Sequence, residues 1–290
     1  FFFKTVRYTR GSIMICLTGD LHHMSLNTGN QQHCEVTEMQ TGRFFLKVLE
    51  KYQVKMTMFI TGKSFLNEYQ HVEPIIFNPL IETGGHNYDA FEHEMFHRIW
   101  NQLTRNYNGP AFYQKHDVLK TMDIIFKTSG KTIDVWRNHM YMHGANTEKI
   151  LFNAGIKICS DGVQKDTHSL QSHKTGLYNL PINIIPDHEH LIHAERTPQW
   201  IDAWRKRYNW RDDFGSQSYF INEWGDMVLK QLKDNEEKGL LSNVIIHPIT
   251  MYLCDKFEKI DEILRYISSC ENIHMSELLI LNEIKGVKNV

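Results

Sequence analysis

Short apolar runs alternate with amphipathic segments along most of the chain, and this alternation limits the possible fold more than any other feature. Runs typical of buried strands occupy residues 13–17, 55–60, 135–136, 156–159, 178–182, 244–246 and 273–275. Helical apolar spacing occupies residues 41–52, 73–82, 116–127, 148–153, 220–232 and 260–267. Strands separated by helices are typical of βα units, so we expect a parallel, barrel-like sheet. No internal repeat or Pro/Ser-rich linker interrupts the sequence, so we expect a single domain over residues 1–290.

Two local predictions accompany this pattern. Thr41 is a plausible N-cap for the first helix. Gly84 and Gly85 are expected to end the helix predicted over residues 73–82.

An aromatic-rich segment at about residues 187–224 fits the alternation poorly. It carries Trp200, Trp204 and Trp210 among several arginines. We expect a helical insertion packed on the barrel, and the other interpretation is an aromatic wall beside a binding groove, since rings stack well on sugar faces. The polar run at residues 187–190 could bind a metal, but we expect it to be a solvated loop.

The first apolar run ends at Thr18 and Gly19, and Asp20, His22 and His23 follow. In parallel α/β folds, active sites collect at the carboxyl ends of the strands. Carboxylates and imidazoles are also the groups that transfer protons and hold divalent metals. The junction is therefore either a polar loop or part of a site.

Three more predicted strand ends carry unusual polar residues. His86 follows the Gly84-Gly85 pair, Arg137 follows Val135-Trp136, and His247 follows residues 244–246. Each position alone is more often structural than catalytic. Four such positions, all where a βα fold opens its active face, together predict an active site.

The order of these motifs resembles that of the polysaccharide deacetylase family, the NodB-like carbohydrate esterases. The matching stretches are Leu17-Thr18-Gly19-Asp20, Gly85-His86-Asn87-Tyr88-Asp89, Trp136-Arg137-Asn138-His139 and Ile245-Ile246-His247-Pro248. The resemblance covers roughly residues 11–275. It implies a distorted (β/α) barrel of seven or eight strands, and a hydrolase that removes an N-acetyl or similar acyl group from a sugar or polysaccharide precursor with the help of a divalent metal.

The resemblance also implies roles for individual residues. Asp20 would be the general base that activates water, His247 the general acid that protonates the departing amine, and Arg137 the group that orients Asp20 and keeps it ionised.

The metal ligands depart from the family pattern. Leu21 stands where the family has its second acid, so the ligand is expected two residues after the base, at His22. His86 matches the first ligand of the second motif, and Asp89 is expected to complete the set, with His93 and His139 as other candidates for the third ligand. Two imidazoles and a carboxylate suit zinc or a similar divalent ion.

Two other functions remain open at this point. Leu21 and Ala90 stand at family ligand positions, which is compatible with a decayed metal site in a non-catalytic carbohydrate-binding barrel. Residues 93–97 also form an HExxH string, the signature of zinc metalloproteases, although no third-ligand motif follows it.

Composition excludes some partners and favours one compartment. The formal net charge of −2 gives no electrostatic case for nucleic acid or an anionic membrane. No apolar stretch approaches the ~20 residues of a transmembrane helix. The absence of a recognisable signal peptide, and five scattered cysteines without a CxxC pair, lead us to expect a cytoplasmic protein, although the sequence does not begin with Met.

Overall fold

The protein is described from a computed structural model, which covers residues 14–24, 29–90, 94–104 and 106–287. The β-strands in these ranges are β1 (Met14–Leu21), β2 (Met56–Ile60), β3 (Ile81–Gly85), β4 (Val135–Trp136), β5 (Ile158–Cys159), β6 (Gln171–Ser172), β7 (Tyr178–Asn179), β8 (Ser242–Ile245) and β9 (Glu271–Asn272). The α-helices are α1 (Gly29–Gln32), α2 (Glu38–Tyr52), α3 (Gly62–Asn67), α4 (Tyr69–Ile76), α5 (Glu94–Thr104), α6 (Ala111–Ser129), α7 (Thr147–Asn153), α8 (Asp187–His190), α9 (Pro198–Tyr208), α10 (Ile221–Lys238), α11 (Pro248–Asp255), α12 (Glu258–Ile267) and α13 (Glu277–Val287).

The strands form one curled sheet in the order β6-β7-β5-β4-β3-β2-β1-β8, and β9 also pairs with β1. All of these pairs are parallel except β6 with β7. The expected barrel-like sheet of seven or eight strands with surrounding helices is therefore confirmed. Because the long strands are parallel, their carboxyl ends meet at one edge of the sheet.

Asparagine side chains join the edge strand β8 to the segment that follows β7, on the other side of the curled sheet. Asn243, on β8, donates from Nδ2 to the carbonyl oxygens of Leu180 at 3.0 Å and Pro181 at 3.2 Å. In this segment, Asn183 accepts at its Oδ1 from the Asn243 backbone N–H at 2.7 Å. Side-chain amides thus connect the two sides of the sheet where it curls.

The first strand is longer than predicted, and Asp20 lies inside it. Residues 15–18 of β1 pair with β8, whereas residues 18–21 pair with β2, in the register Asp20↔Phe59 and Leu21↔Ile60. The second ladder continues the strand past its apolar half. Asp20 is therefore held on a strand by backbone hydrogen bonds.

The prediction that Gly84 and Gly85 end a helix was wrong. The helix α4 ends at Ile76, and both glycines lie within β3. A Cβ on Gly85 would lie 2.3 Å from the Trp136 ring, and one on Gly84 would lie 2.5 Å from the Phe59 ring. Both glycines are needed for close packing between neighbouring strands.

The N-cap of α2 also differs from the prediction. Thr37 caps the helix in a capping box with Gln40, and Thr41 lies in the first turn of the helix. The apolar spacing over residues 41–52 located α2 correctly. The helix begins earlier, at Glu38, because its first turn is polar and lies outside the apolar pattern. No helix in the described ranges has both the length and the apolar character needed to cross a membrane.

Candidate active site

Four of the predicted site residues meet at the carboxyl edge of the sheet. Asp20 is near the end of β1, His86 directly follows β3, Arg137 directly follows β4, and His247 comes two residues after β8. One oxygen of Asp20, Oδ2, lies 3.7 Å from Nε2 of His86 and 3.7 Å from Nε2 of His247. The structure therefore brings together side chains that are more than 200 residues apart in the sequence.

The buried Arg137 guanidinium fixes the other oxygen of Asp20. Nη1 of Arg137 donates to Asp20 Oδ1 at 2.9 Å, while Nη2 donates to the hydroxyls of Thr18 at 2.8 Å and Ser160 at 2.7 Å. Burial alone would raise the pKa of Asp20, but Arg137 and the neighbouring histidines together outweigh it and hold that pKa well below the usual value. Asp20 is therefore ionised at neutral pH, with Oδ2 directed toward the two histidines.

His247 is held by a carboxylate from the insertion. Asp187, the first residue of α8, accepts from the backbone N–H of His247 at 2.6 Å and from its Nδ1 at 2.8 Å. Burial lowers the pKa of His247, but Asp187 and then Asp20 outweigh it and raise this pKa to about 9. At neutral pH the ring is protonated, and Nε2 carries a proton on the side that faces Asp20.

Three histidines form a tight cluster beside Asp20. Nε2 of His22 lies 3.1 Å from Nε2 of His86 and 3.2 Å from Nδ1 of His139. The three nitrogens all lie within 4.8 Å of one another. Burial lowers the pKa of His86 to about 3 and that of His139 well below the ordinary value, so these two rings are neutral at pH 7.

The protonation pattern of this cluster fits a divalent cation. Nδ1 of His86 donates to the Arg137 carbonyl oxygen at 2.8 Å, and Nδ1 of His22 donates to Glu38 Oε1 at 2.8 Å. When both rings are neutral, their Nε2 lone pairs face each other across 3.1 Å, an arrangement that a cation between them would stabilise. Ligand nitrogens in a tetrahedral zinc site are about 3.4 Å apart, given Zn–N bonds of about 2.1 Å.

The structure does not bring Asp89 into this cluster. Its Oδ2 accepts from Nζ of Lys63 at 2.5 Å, which holds the carboxylate on the side of the loop toward α3. The preceding Asn87 and following Ala90 both adopt left-handed backbone conformations, with φ of 58° and 54°. His139, another of the candidates for the third ligand, lies beside His22 and His86 instead.

Two residues that the sequence analysis missed hold the metal-type ligands in place. Glu38, in the first turn of α2, accepts from both the backbone N–H and Nδ1 of His22. Asn87 accepts from the backbone N–H of His139 at 2.9 Å, and its own amide donates to Asp117 on α6. Polar contacts between separate elements carry no local sequence pattern, so the sequence held no signal for these two roles.

The HExxH string does not form a comparable cluster in the part of the chain that the structure describes. His93 lies outside the described residues, and Glu94 begins α5. His97 is buried and donates from Nδ1 to the Tyr107 carbonyl oxygen at 2.7 Å.

A cavity of about 240 Å³ lies over the histidine cluster. Asp20, His22, His139 and His247 line one side, and residues of the 187–224 insertion line the other. The expectation that residues 187–190 form a solvated loop was wrong: they form α8, and Asp187 is fully buried against His247. The structure also combines the two interpretations of the insertion, because Trp224 packs in the core while Trp204 lines the cavity.

No protein-family model matches the sequence, and no curated protein sequence matches it. Solved structures of the same fold do match. A structure described as a polysaccharide deacetylase from Mycobacterium smegmatis is 16% identical, with 98% of this chain and 94% of that chain covered and a TM-score of 0.68.

Two further matches are carbohydrate esterases of family 4. An acetyl xylan esterase from Clostridium thermocellum, in complex with a cobalt ion, is 16% identical over 92% of this chain and 91% of that chain, with a TM-score of 0.50. A family 4 pseudoenzyme from Bacillus anthracis is 12% identical over 93% of this chain and 66% of that chain, with a TM-score of 0.53. At these identities the likeness establishes the fold. The chain has the NodB-like fold of the polysaccharide deacetylases, and the resemblance predicted from its motifs is confirmed at that level.

Proposed function

We propose that this protein is a metal-assisted hydrolase that removes an N-acetyl or similar acyl group from a sugar or polysaccharide precursor. The observation that carries the proposal is the position of Asp20 Oδ2, 3.7 Å from both His86 of the cluster and His247. An ionised carboxylate and a protonated imidazole thus flank one point at the floor of the cavity. Hydrolysis of an amide needs such a pair, because water must lose a proton and the leaving nitrogen must gain one.

Asp20 and His247 would carry out the two proton transfers of the reaction. Asp20 accepts a proton from the attacking water at Oδ2 while Arg137 holds Oδ1, so the base stays oriented. His247 donates its Nε2 proton to the departing amine, and Asp187 stabilises the charged ring before that transfer. The polysaccharide deacetylase and acetyl xylan esterase among the structural matches support an acylated carbohydrate as the substrate.

His22, His86 and His139 are the residues that would hold the metal. A divalent ion bound there would polarise the acyl carbonyl and lower the pKa of the attacking water. Three imidazoles suit zinc, cobalt or a similar ion, and the cobalt complex of the acetyl xylan esterase supports a divalent metal.

The proposal is tested by acetate release from N-acetylated sugars with zinc-loaded protein. Asp20→Asn and His247→Ala should each lower kcat by about 10²–10⁴-fold, since each removes one proton-transfer group. Exposed Asp123→Asn and His33→Ala are the matched controls and should retain wild-type rates. Circular dichroism checks that each variant is folded. Wild-type rates in both site variants would overturn the assignment.

A second candidate, a non-catalytic carbohydrate-binding barrel, is favoured by one observation. Leu21, at the position of the family's second acid, is fully buried and packs toward α2, so it cannot act as a ligand. A pseudoenzyme also occurs among the structural matches. Metal analysis separates the two functions. One zinc per chain, lost in His86→Ala, supports the hydrolase, whereas sugar binding without bound metal or acetate release supports the binding barrel.

A further inference from the structure

One wall of the cavity comes from the insertion. His188 and Glu189 lie on α8, directly after the Asp187 that holds His247. Arg196 lies just before α9, and Trp204 lies within α9. The His188 ring centroid lies 5.3 Å from that of His247. The wall therefore stands next to the proposed general acid.

This wall presents polar atoms that lack partners among the described residues. Nδ1 of His188, Oε2 of Glu189 and Nε of Arg196 are all buried without a hydrogen-bond partner. Most buried polar side-chain atoms in folded proteins are hydrogen-bonded. Three side chains that line one cavity thus carry unpaired polar atoms, which indicates a wall suited to a polar ligand.

Other atoms of these residues hold the wall in place, while the three atoms named above take no part in those contacts. Nη2 of Arg196 donates to the Glu189 backbone carbonyl at 3.1 Å, and the guanidinium carbon lies 5.2 Å from the Trp204 ring centroid. Ser218 also donates to the Glu189 carbonyl, at 2.8 Å. Both hydrogen bonds use the backbone carbonyl of Glu189. The side-chain carboxylate is therefore available to accept hydrogen bonds from a ligand.

The cavity is small for a polymer-binding site. At about 240 Å³ it lies below the roughly 300–1,000 Å³ of pockets that bury drug-sized ligands. One polar ring with its acyl group is a suitable occupant for such a space. The Trp204 ring packs against Arg196, Trp200 and Trp210 and lines the cavity with apolar surface that suits sugar C–H groups. The Glu189 carboxylate suits sugar hydroxyl groups, because it accepts hydrogen bonds.

We propose that this wall selects a single N-acylated sugar residue, with Glu189 accepting hydrogen bonds from its hydroxyl groups and Trp204 contacting its C–H groups. The inference rests on the proposed function for the acyl group, and adds the substrate's size and the residue that recognises it. Because the cavity of about 240 Å³ has room for one ring, the protein acts on monosaccharide-sized substrates.

The test is calorimetric binding of N-acetylglucosamine, N-acetylgalactosamine and N-acetylmannosamine, and of tetra-N-acetylchitotetraose, to the zinc-loaded full chain. Glu189→Gln keeps the size of the side chain but removes its charge, and should weaken binding of the best monosaccharide by about 10- to 100-fold. Glu195→Gln, an exposed residue of the same insertion, is the matched control and should bind as the wild type does.

The outcomes separate this inference from the proposed function. Tighter binding of a monosaccharide than of the tetrasaccharide, lost in Glu189→Gln and kept in Glu195→Gln, supports it. Tighter binding of the tetrasaccharide, an unchanged Kd in Glu189→Gln, or no binding of any of the three monosaccharides overturns it. Acetate release is measured in parallel: Glu189-dependent binding without acetate release would contradict the hydrolase and leave the recognition site established.

Discussion

The proposed general acid depends on one carboxylate for its charge. His247 is buried, and burial alone would favour its neutral form. Asp187 bonds both its backbone and its ring, and this carboxylate does most to raise the pKa of His247 to about 9. A general acid must be protonated to act, so the active form is present below about pH 9 and is lost as the pH rises through that value.

Asp187→Asn should move the alkaline limb of kcat/KM to lower pH. Without the negative charge, the pKa of His247 falls toward or below its ordinary value, and the protonated form is lost earlier. The measurement is a pH–rate profile for acetate release from pH 5 to 10. Asp202→Asn, on the exposed face of α9, is the control. An unchanged alkaline limb in Asp187→Asn would show that another group sets it.

The sequence located the residues at strand ends but not the groups that support them. Asp20, Arg137 and His247 could be found because apolar runs mark strands, and strand ends in a βα fold share one edge. His86 was found from its place after the paired glycines in the family motif. Asp187 and Glu38 come from helices whose distance to the site depends on tertiary packing. Asp89 was expected from the spacing of the family motif, whereas its contact with Lys63 on α3 depends on tertiary packing.

At the scale of elements, the start of α2 determines how His22 points. Glu38 lies in the first turn of the helix, and its carboxylate spans the backbone and ring of His22 near the end of β1. Gln31 adds a bond to the second oxygen of Glu38 at 3.3 Å. A carboxylate that accepts a hydrogen bond from Nδ1–H fixes the tautomer of the ring, so that Nε2 is the atom able to bind a metal, and it also fixes the orientation of the ring.

Glu38→Gln should weaken zinc binding by about 10- to 100-fold, the usual effect of losing such a carboxylate partner. The affinity is measured by competition with a chromophoric zinc chelator. Glu50→Gln, an exposed residue of the same helix, should bind zinc as the wild type does. Equal affinities for wild type and Glu38→Gln would mean that His22 is not a ligand.

Element boundaries were harder to predict than element types. Periodicity identified the helix over residues 116–127, which the structure extends to α6 (Ala111–Ser129). The strand β3 was missed because its sequence, Ile-Glu-Thr-Gly-Gly, carries little apolar character. Its register with β2 and the close approach of the Phe59 and Trp136 rings define it, and both are tertiary effects.

At the scale of the whole molecule, Asn243 joins the two sides of the curled sheet. Its Nδ2 donates to Leu180 and Pro181 carbonyl oxygens and also lies 3.1 Å from the Ser160 hydroxyl. The same Ser160 hydroxyl accepts a hydrogen bond from Arg137. Asn243 is therefore connected through Ser160 to the arginine that holds Asp20.

Asn243→Ala should lower the free energy of unfolding by about 3 kcal/mol, because buried carbonyl oxygens lose their donors. Urea unfolding followed by circular dichroism measures the change. Asn153→Ala, at the exposed end of α7, should change the stability by less than about 0.5 kcal/mol. A loss in Asn243→Ala no larger than that of the control would show that the sheet closes without this amide.

The four-residue helix α8 carries both the residue that sets the pKa of His247 and the residue proposed to recognise the sugar. Asp187 sets the charge of His247, and Glu189, two positions on, faces the cavity. An evolutionary change of substrate that reshapes this helix would also retune the pH at which the protein works. Directed evolution for a new sugar should therefore yield variants whose pH optimum drifts together with their specificity, unless position 187 and the backbone around it are held constant.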